Sequence, residues 1–339
     1  ARAVRSAPRA APVSPGRVKE ETGRPRGTTR RRQLKPLSYE EIASLYHGNE
    51  EGGRAGPRYH VTAASNYKAF YSSVYGGFVT DYALMNVPMD DHMVHRGHAV
   101  FDTTNIIDGY AWGFEEHLDR FLRSAAIARI DVERLELGDA YDEIEAEGPN
   151  SAGFSDEVAM VRAKIRAIAL DMISMAGLRN GEVRFWLSSG VGNFNLDPYD
   201  CVAPTLYMIA MERNQAFRTE LPAALRVSTT SVPMKPNPYC VVKSNNYLQN
   251  AHALMDARDQ GSDYGVFVYE NAEGETCISE GPNCNVVFID AAGRVVIPTF
   301  EYALRGVTIL RTVDLIERKL AKVSLLLRPH KHHDLHLYR

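Results

Sequence analysis

Residues 241–247 read VVKSNNY and place a lysine between an apolar stretch and the predicted start of a helix. A lysine at such a junction is partly shielded from water, and burial lowers the pKa of its ammonium, which favours the neutral, nucleophilic amine. On its own Lys243 is a weak signal, because most lysines lie on protein surfaces. Whether Lys243 has a chemical role depends on which other functional residues the chain contains.

Two later segments carry further chemical groups. Residues 278–285, ISEGPNCN, contain Glu280 directly before a Gly-Pro turn. Residues 304–308, LRGVT, open a predicted helix over residues 309–321. Free backbone N–H groups and a threonine hydroxyl at a helix N-terminus favour a bound anion. The three segments together, in this order, are far more specific than any one of them.

The three segments resemble the motifs of the class IV aminotransferases, which are fold-type IV pyridoxal-phosphate enzymes. That family includes branched-chain and D-amino-acid aminotransferases and aminodeoxychorismate lyase. In the N-terminal half, residues 93–102 (MVHRGHAVFD) resemble the family's Arg-Gly strand. Residues 116–120 (EHLDR) resemble its arginine-bearing helix. The resemblance covers residues 70–318, and the stretch 88–98 is most similar to the plant-type D-amino-acid aminotransferase and aminodeoxychorismate lyase group.

The resemblance implies pyridoxal 5'-phosphate as cofactor and assigns a role to each matched residue. Lys243 would be the catalytic residue, linked covalently to the cofactor and then acting as the base that moves the α-proton. Glu280 would contact the pyridine nitrogen, and Tyr247 the phenolic oxygen. The other implied site residues are Arg120, Val307 and Thr308 at the phosphate, Asn283 beside the cofactor, and Phe101, Asn193 and Phe194 in the substrate pocket.

The resemblance also implies an α+β fold with two domains, a small α/β domain and a larger β-rich domain that binds the cofactor. We expect these domains to span residues 37–207 and 208–321. A basic segment, residues 1–36, precedes them, and a tail, residues 322–339, follows. Because relatives continue well beyond the helix over residues 309–321, we expect the C-terminal domain to be truncated here.

Hydrophobic periodicity predicts the main elements. Strands over residues 99–107 and 110–114 are joined by Asp108-Gly109, a favoured two-residue hairpin turn. The other predicted elements are helices over 115–128, 158–176 and 246–258, and strands over 182–187, 205–211, 224–229, 266–269, 285–289 and 295–297.

Charge is distributed unevenly along the chain. The formal net charge is −3, but residues 1–36 hold nine arginines and two lysines against two glutamates. Such an arginine-rich, acid-poor segment resembles an organellar transit peptide, of a plastid or a mitochondrion. The remaining chain is acidic, which argues against a nucleic-acid partner. No apolar run approaches the roughly 20 residues of a membrane-spanning helix, and the four cysteines are predicted to be reduced, buried thiols.

Three histidines spaced by three, His92, His95 and His98, suggest a metal enzyme as an alternative. They fall in a predicted loop-to-strand segment without an obvious fourth ligand, whereas a closed zinc site uses about four ligands. We therefore expect no metal. Arg96, within the same segment, is predicted to be a structural anchor.

The predicted activity is pyridoxal-phosphate-dependent transamination of an amino acid, D-amino-acid or branched-chain-like, with a 2-oxo acid acceptor. One alternative is aminodeoxychorismate lyase activity, which yields p-aminobenzoate and pyruvate. Another is a non-catalytic subunit of a larger organellar assembly. Phe194 and Leu196 stand where bacterial D-amino-acid aminotransferases place an arginine and a histidine on the substrate carboxylate, so the amino donor stays open. The expected partners are a small amino or keto acid and a second copy of the chain.

Overall fold

The computed structural model describes Ser38, Glu40 and residues 66–145, 153–213, 224–319, 325–327 and 330–331. Residues 43–339 form one compact unit. Of the other unit, residues 1–42, only Ser38 and Glu40 are described. The predicted basic segment lies outside the described residues, and the division into domains after residue 207 stays a prediction.

A six-stranded antiparallel sheet is the largest element of the fold. Its strands are β1 Tyr67–Ser72, β2 Gly77–Val79, β3 Ala99–Ile107, β4 Tyr110–Trp112, β5 Gly181–Ser188 and β6 Thr205–Glu212. They lie in the order β2-β1-β6-β5-β3-β4. Between β3 and β4, Asp108 and Gly109 both have positive φ, 52° and 88°. Positive φ at both central residues is what a type I′ hairpin turn requires, so the predicted hairpin is confirmed.

Helices lie between the strands of this sheet along the chain and continue after its last strand. The described part of the chain contains α1 His92–Arg96, α2 Phe114–Ile127, α3 Asp156–Met175, α4 Leu248–Asp259 and α5 Val307–Lys319. Both α2 and α3 contribute to the core of the large sheet. The side chains that are fully buried there include Leu118 and Phe121 of α2, Ile165 and Ile168 of α3, and Phe185 of β5. Each such side chain contributes about 1.5–3 kcal/mol through burial, which fixes α2 against β3.

Smaller sheets make up the C-terminal half. Their strands are β7 Val227–Thr229, β8 Tyr264–Val266, β9 Val268–Glu270, β10 Thr276–Ile278, β11 Phe288–Ile289, β12 Val295–Ile297, β13 Leu325–Leu327 and β14 His330–Lys331. β7 pairs in parallel with β8, β14-β10-β9 form an antiparallel sheet, and β11-β12-β13 form a mixed one. The sequence prediction placed no element in the tail, where the structure has β13 and β14.

Residues His92–Arg96 form helix α1, whereas the sequence predicted a loop-to-strand segment there. It begins where the Asp91 side chain accepts a hydrogen bond from the Met93 N–H at 2.8 Å, and it ends at Gly97, whose φ is 67°. An aspartate N-cap and a left-handed glycine are ordinary helix boundaries. At five residues the helix is too short to show a hydrophobic period, and only its caps could have predicted it.

All four thiols are free, and Cys201, Cys240 and Cys277 are buried as predicted, but the prediction of burial is wrong for Cys284, which is exposed. Among the described helices, none combines the length and the apolar character needed to cross a membrane.

Candidate active site

The three C-terminal segments and helix α2 meet around one cavity of about 460 Å³. That volume lies within the roughly 300–1,000 Å³ typical of small-molecule sites. Seven of the predicted site residues line it: Arg120, Lys243, Tyr247, Glu280, Asn283, Val307 and Thr308.

Lys243 is held in position by its own backbone. Its carbonyl oxygen accepts the Phe101 N–H of β3 at 2.9 Å, and its N–H donates to the Ser124 hydroxyl of α2 at 3.3 Å. The ammonium lies 4.6 Å from the centre of the Phe101 ring. Burial lowers the pKa of Lys243 to about 8, although the charge of Asp102 acts in the opposite direction. The cavity therefore contains a fixed amine that is poised to act as a nucleophile.

Glu280 follows β10 and is held by the loop before α5. Its Oε2 accepts the backbone N–H of Leu304 at 2.9 Å. Burial raises the pKa of Glu280 to about 7, partly offset by the Leu304 N–H and by nearby cationic side chains, of which Lys235 is the first. A buried carboxyl with a pKa near neutrality is stabilised in its ionised form when a cationic group binds beside it.

Arg120 is paired with the buried carboxylate of Asp102. Its Nε and Nη2 donate to the two carboxylate oxygens of Asp102 at 2.8 and 2.7 Å, and His117 lies 2.8 Å from the same carboxylate. Burial alone would raise the pKa of Asp102, but hydrogen bonds from His117 and Arg120 outweigh it and lower that pKa to about 2. Asp102 is 0% exposed. The Arg120 guanidinium is thus oriented at the cavity by a buried carboxylate.

The start of helix α5 supplies the other anion-binding groups. Val307 and Thr308 form its first turn, where backbone N–H groups have no partner within the helix. The Asn285 side chain donates to the Leu304 carbonyl at 2.8 Å and so ties the preceding loop to the Glu280 segment. A Cβ at Gly306 would collide with the Asn285 side chain, so a larger residue there would displace that side chain from its present position.

Comparison with known proteins identifies the family. The family model for amino-transferase class IV matches residues 99–335. The chain belongs to the class IV aminotransferases. It is 37% identical over 300 residues to the "D-amino-acid transaminase, chloroplastic" of Arabidopsis thaliana, covering 88% of this chain and 72% of that protein. The resemblance predicted from the sequence motifs is confirmed.

Two solved structures show the same fold at low sequence identity. The branched-chain amino acid aminotransferase of Escherichia coli aligns with a TM-score of 0.61 and 20% identity, covering 80% of each chain. That of Thermobaculum terrenum, solved in its PLP-form, aligns with a TM-score of 0.57 and 16% identity, covering 79% of this chain and 78% of that one. The predicted α+β class IV fold is confirmed.

In this class IV aminotransferase, the lowered pKa of Lys243 leads to a testable pH dependence. Only the neutral amine attacks an aldehyde, so attachment of pyridoxal 5'-phosphate should rise with pH around a midpoint near 8 instead of the usual 10.5. Borohydride trapping and peptide mapping over about pH 6 to about pH 10 measure it. Lys164, which pairs with Asp142, is the internal control. Labelling of both lysines with one shared profile would contradict the assignment.

Arg120→Ala should lower both cofactor affinity and stability. Removing the guanidinium leaves His117 as the remaining partner of the buried Asp102 charge, and loss of one partner of a buried ion pair costs about 3–5 kcal/mol of unfolding free energy. The control is Arg123→Ala, because Arg123 is exposed and lies 4.0 Å from Asp119, a pair worth under about 1 kcal/mol. Urea denaturation compares the two variants. Equal stability of the two variants would show that the pair of Arg120 and Asp102 does not stabilise the fold.

The predicted substrate-pocket residues are not all at the cavity. Phe101 lies beside it, 5.2 Å from the Tyr247 ring and next to Lys243. The residues lining the cavity do not include Asn193 or Phe194. Phe194 is 61% exposed, and its carbonyl accepts a 2.6 Å hydrogen bond from Arg96. The assignment of Asn193 and Phe194 to the substrate pocket therefore stays a prediction.

The three histidines come together, and both ring nitrogens of His98 have partners of their own. The His92 ring lies 5.1 Å from that of His95 and 5.4 Å from that of His98. His98 contacts the Ala128 carbonyl at 2.7 Å and the Ser189 hydroxyl at 2.9 Å. In the part of the chain that the structure describes, no group of three or more histidine, cysteine or acidic side chains has a metal-binding arrangement.

Sequence reasoning missed Asp102 as a functional residue, since this aspartate entered it only as the end of a strand pattern. Alternate residues of β3 are buried, and Asp102 falls on the buried face with Val100 and Thr104. A carboxylate at such a position needs a buried cationic partner, and this signal could have led to Arg120.

Proposed function

We propose that the protein is a pyridoxal-phosphate-dependent aminotransferase that moves the amino group of a D-amino acid to a 2-oxo acid. The observation that carries the proposal is the convergence of Lys243, Glu280 and the α5 helix start on one cavity. An amine, a carboxylate and an anion site at a single cavity are the groups that a phosphorylated pyridine aldehyde needs.

The residues present fit this cofactor. Lys243 would carry it covalently, since its amine has a lowered pKa, and Glu280 would face the ring nitrogen. Arg120 and the first N–H groups of α5, with the Thr308 hydroxyl, would hold the phosphate. When bound, pyridoxal phosphate supplies an electron sink for removal of the substrate α-proton.

The protein's own residues would then organise the proton transfer. The Lys243 amine would accept the α-proton of the substrate and give a proton back later in the reaction, so that one base serves both proton transfers. Burial raises the pKa of Tyr247 to about 12, so its phenol stays protonated and can donate a hydrogen bond. The Phe101 and Tyr247 rings lie 5.2 Å apart, with the Phe101 ring 4.6 Å from the Lys243 amine, and would shield that amine from water.

Substrate identity separates the proposed reaction from its alternatives. We expect D-alanine to yield pyruvate only when 2-oxoglutarate is present, with L-leucine as the test of a branched-chain preference. Formation of p-aminobenzoate from aminodeoxychorismate without an acceptor would instead establish the lyase. A folded, cofactor-supplied protein that stays colourless and inactive would support the non-catalytic subunit.

The assembly and location form part of the same proposal. We expect a homodimer, which light scattering of the purified protein measures. The chloroplastic relative from Arabidopsis thaliana favours a plastid over a mitochondrion. Imaging of the chain fused to a fluorescent protein tests that choice.

A further inference from the structure

A second lysine lines the cavity and has no role in the chemistry above. Lys235 stands in the segment 233–238, PMKPNP. Its prolines restrict the backbone, and the residue before a proline is biased toward an extended conformation. Met234 and Lys235 both line the cavity, whereas residues 236–238 are exposed. The segment therefore presents one ammonium group to the inside of the site.

The contacts of Lys235 hold it there without neutralising it. Its ammonium lies 4.5 Å from the centre of the Tyr247 ring, within the range of a cation–π interaction. Among the described residues, no side chain forms a salt bridge or a hydrogen bond with this ammonium. Burial lowers the pKa of Lys235, and the charge of Glu280 acts against that effect. The ammonium has donors available for an anionic ligand.

The proposed function already gives a role to the other charged groups of the cavity. Lys243 would carry the cofactor, Glu280 would face its ring nitrogen, and Arg120, which is paired with Asp102, would lie at its phosphate. Every amino-acid or 2-oxo-acid substrate also brings a carboxylate, which is costly to bury without a cation beside it. Of the described cationic side chains at the cavity, Lys235 is the one that has neither a carboxylate partner within salt-bridge distance nor a role in binding the cofactor.

We propose that Lys235 binds the carboxylate of the amino-acid and 2-oxo-acid substrates. The ammonium offers three N–H donors, and the Tyr247 ring beneath it keeps it at the cavity wall. Bacterial D-amino-acid aminotransferases place an arginine and a histidine on the substrate carboxylate, where this chain has Phe194 and Leu196. Lys235 would take over that role here. This inference rests on the proposed function and adds the group that recognises the substrate.

The first test separates binding from chemistry. Lys235→Gln should raise the KM for D-alanine and for 2-oxoglutarate about 10- to 100-fold, the range of a charged hydrogen bond. It should change kcat much less, because the contact exists in both the ground state and the transition state. Lys235→Arg should restore part of the affinity. Lys164→Gln, with the same loss of charge outside the cavity, should behave as the parent.

The second test needs no turnover. Calorimetric titration of the holoenzyme with propionate measures carboxylate binding, and uncharged propionamide is its control. Lys235→Gln should lower the affinity for propionate and leave the affinity for propionamide unchanged. Parental KM values and parental propionate affinity would overturn the inference. The inference would also be overturned if Lys235→Gln lost cofactor affinity as strongly as propionate affinity, or if its melting temperature fell. Lys235 would then be a cofactor-binding or structural residue. Failure of the proposed function looks different, because then the parent itself forms no borohydride-stable adduct at Lys243.

Discussion

Lys243→Ala is expected to abolish covalent capture of pyridoxal 5'-phosphate and to reduce turnover by about 10²–10⁴-fold, the usual contribution of a general base. The variant loses both the amine that holds the cofactor and the base that moves the α-proton, because one side chain has both roles. Borohydride reduction followed by peptide mapping measures the first loss. Steady-state assay with D-alanine and 2-oxoglutarate measures the second.

The fold of the Lys243→Ala variant should be unchanged. The contacts that position residue 243 come from its backbone, to Phe101 and Ser124, and alanine retains them. Lys164→Ala is the control for a lysine paired at the surface. A reduced adduct that appears on Lys235 in the parent protein would exchange the roles of the two cavity lysines and would contradict this prediction directly.

The elements that frame the site could be predicted from local patterns. Helix α2 has its buried residues Leu118, Phe121, Leu122 and Ala125 on one side, and the predicted bounds differ by one residue at each end. The β3–β4 hairpin follows from Asp108-Gly109, because few other dipeptides accept two positive φ angles. These signals are local, so a single sequence contains them.

Strands of the C-terminal half were harder to bound. The strand predicted over residues 285–289 is limited to Phe288–Ile289. Asn285 instead uses its side chain to hold the Leu304 carbonyl, and this partner lies 19 residues away. The strand predicted over residues 266–269 is divided at Phe267, whose N–H donates to the Glu280 carbonyl. In both places the predicted strand is interrupted by a hydrogen bond that holds the loop containing Glu280.

The pairing inside the site could not be predicted residue by residue. Motif order identified Lys243 and Glu280 as members of one site, but nothing in the order shows that Asp102 would take two of the Arg120 donors. Lys235 had no motif at all. Its relevance comes from the Tyr247 ring beneath it and from the absence of a neutralising carboxylate within salt-bridge distance among the described residues.

Glu280→Gln is expected to retain the cofactor and to slow turnover by about 10²–10³-fold, the cost of removing one preorganised electrostatic group. A carboxylate can keep a proton on the ring nitrogen of the bound cofactor, whereas a neutral amide cannot. The glutamine oxygen can still accept the Leu304 N–H, so the loop is retained. Glu301→Gln is the matched control, since Glu301 is exposed and does not line the cavity. Parental turnover would remove Glu280 from this role.

The pH dependence of stability distinguishes this chemical role from a structural one. Burial raises the pKa of Glu280 from 4.5 to about 7 in the folded, cofactor-free protein. Between those values the folded state binds more protons than the unfolded state, so the parent loses stability as pH rises through this window. The amide of the Glu280→Gln variant does not titrate, and the cofactor-free variant should therefore gain stability relative to the parent from about pH 4.5 to about pH 7. Urea denaturation at several pH values measures the difference. A variant that is slower and also less stable at pH 7 would mean that Glu280 supports the fold, and its effect on turnover would then follow from a displaced loop.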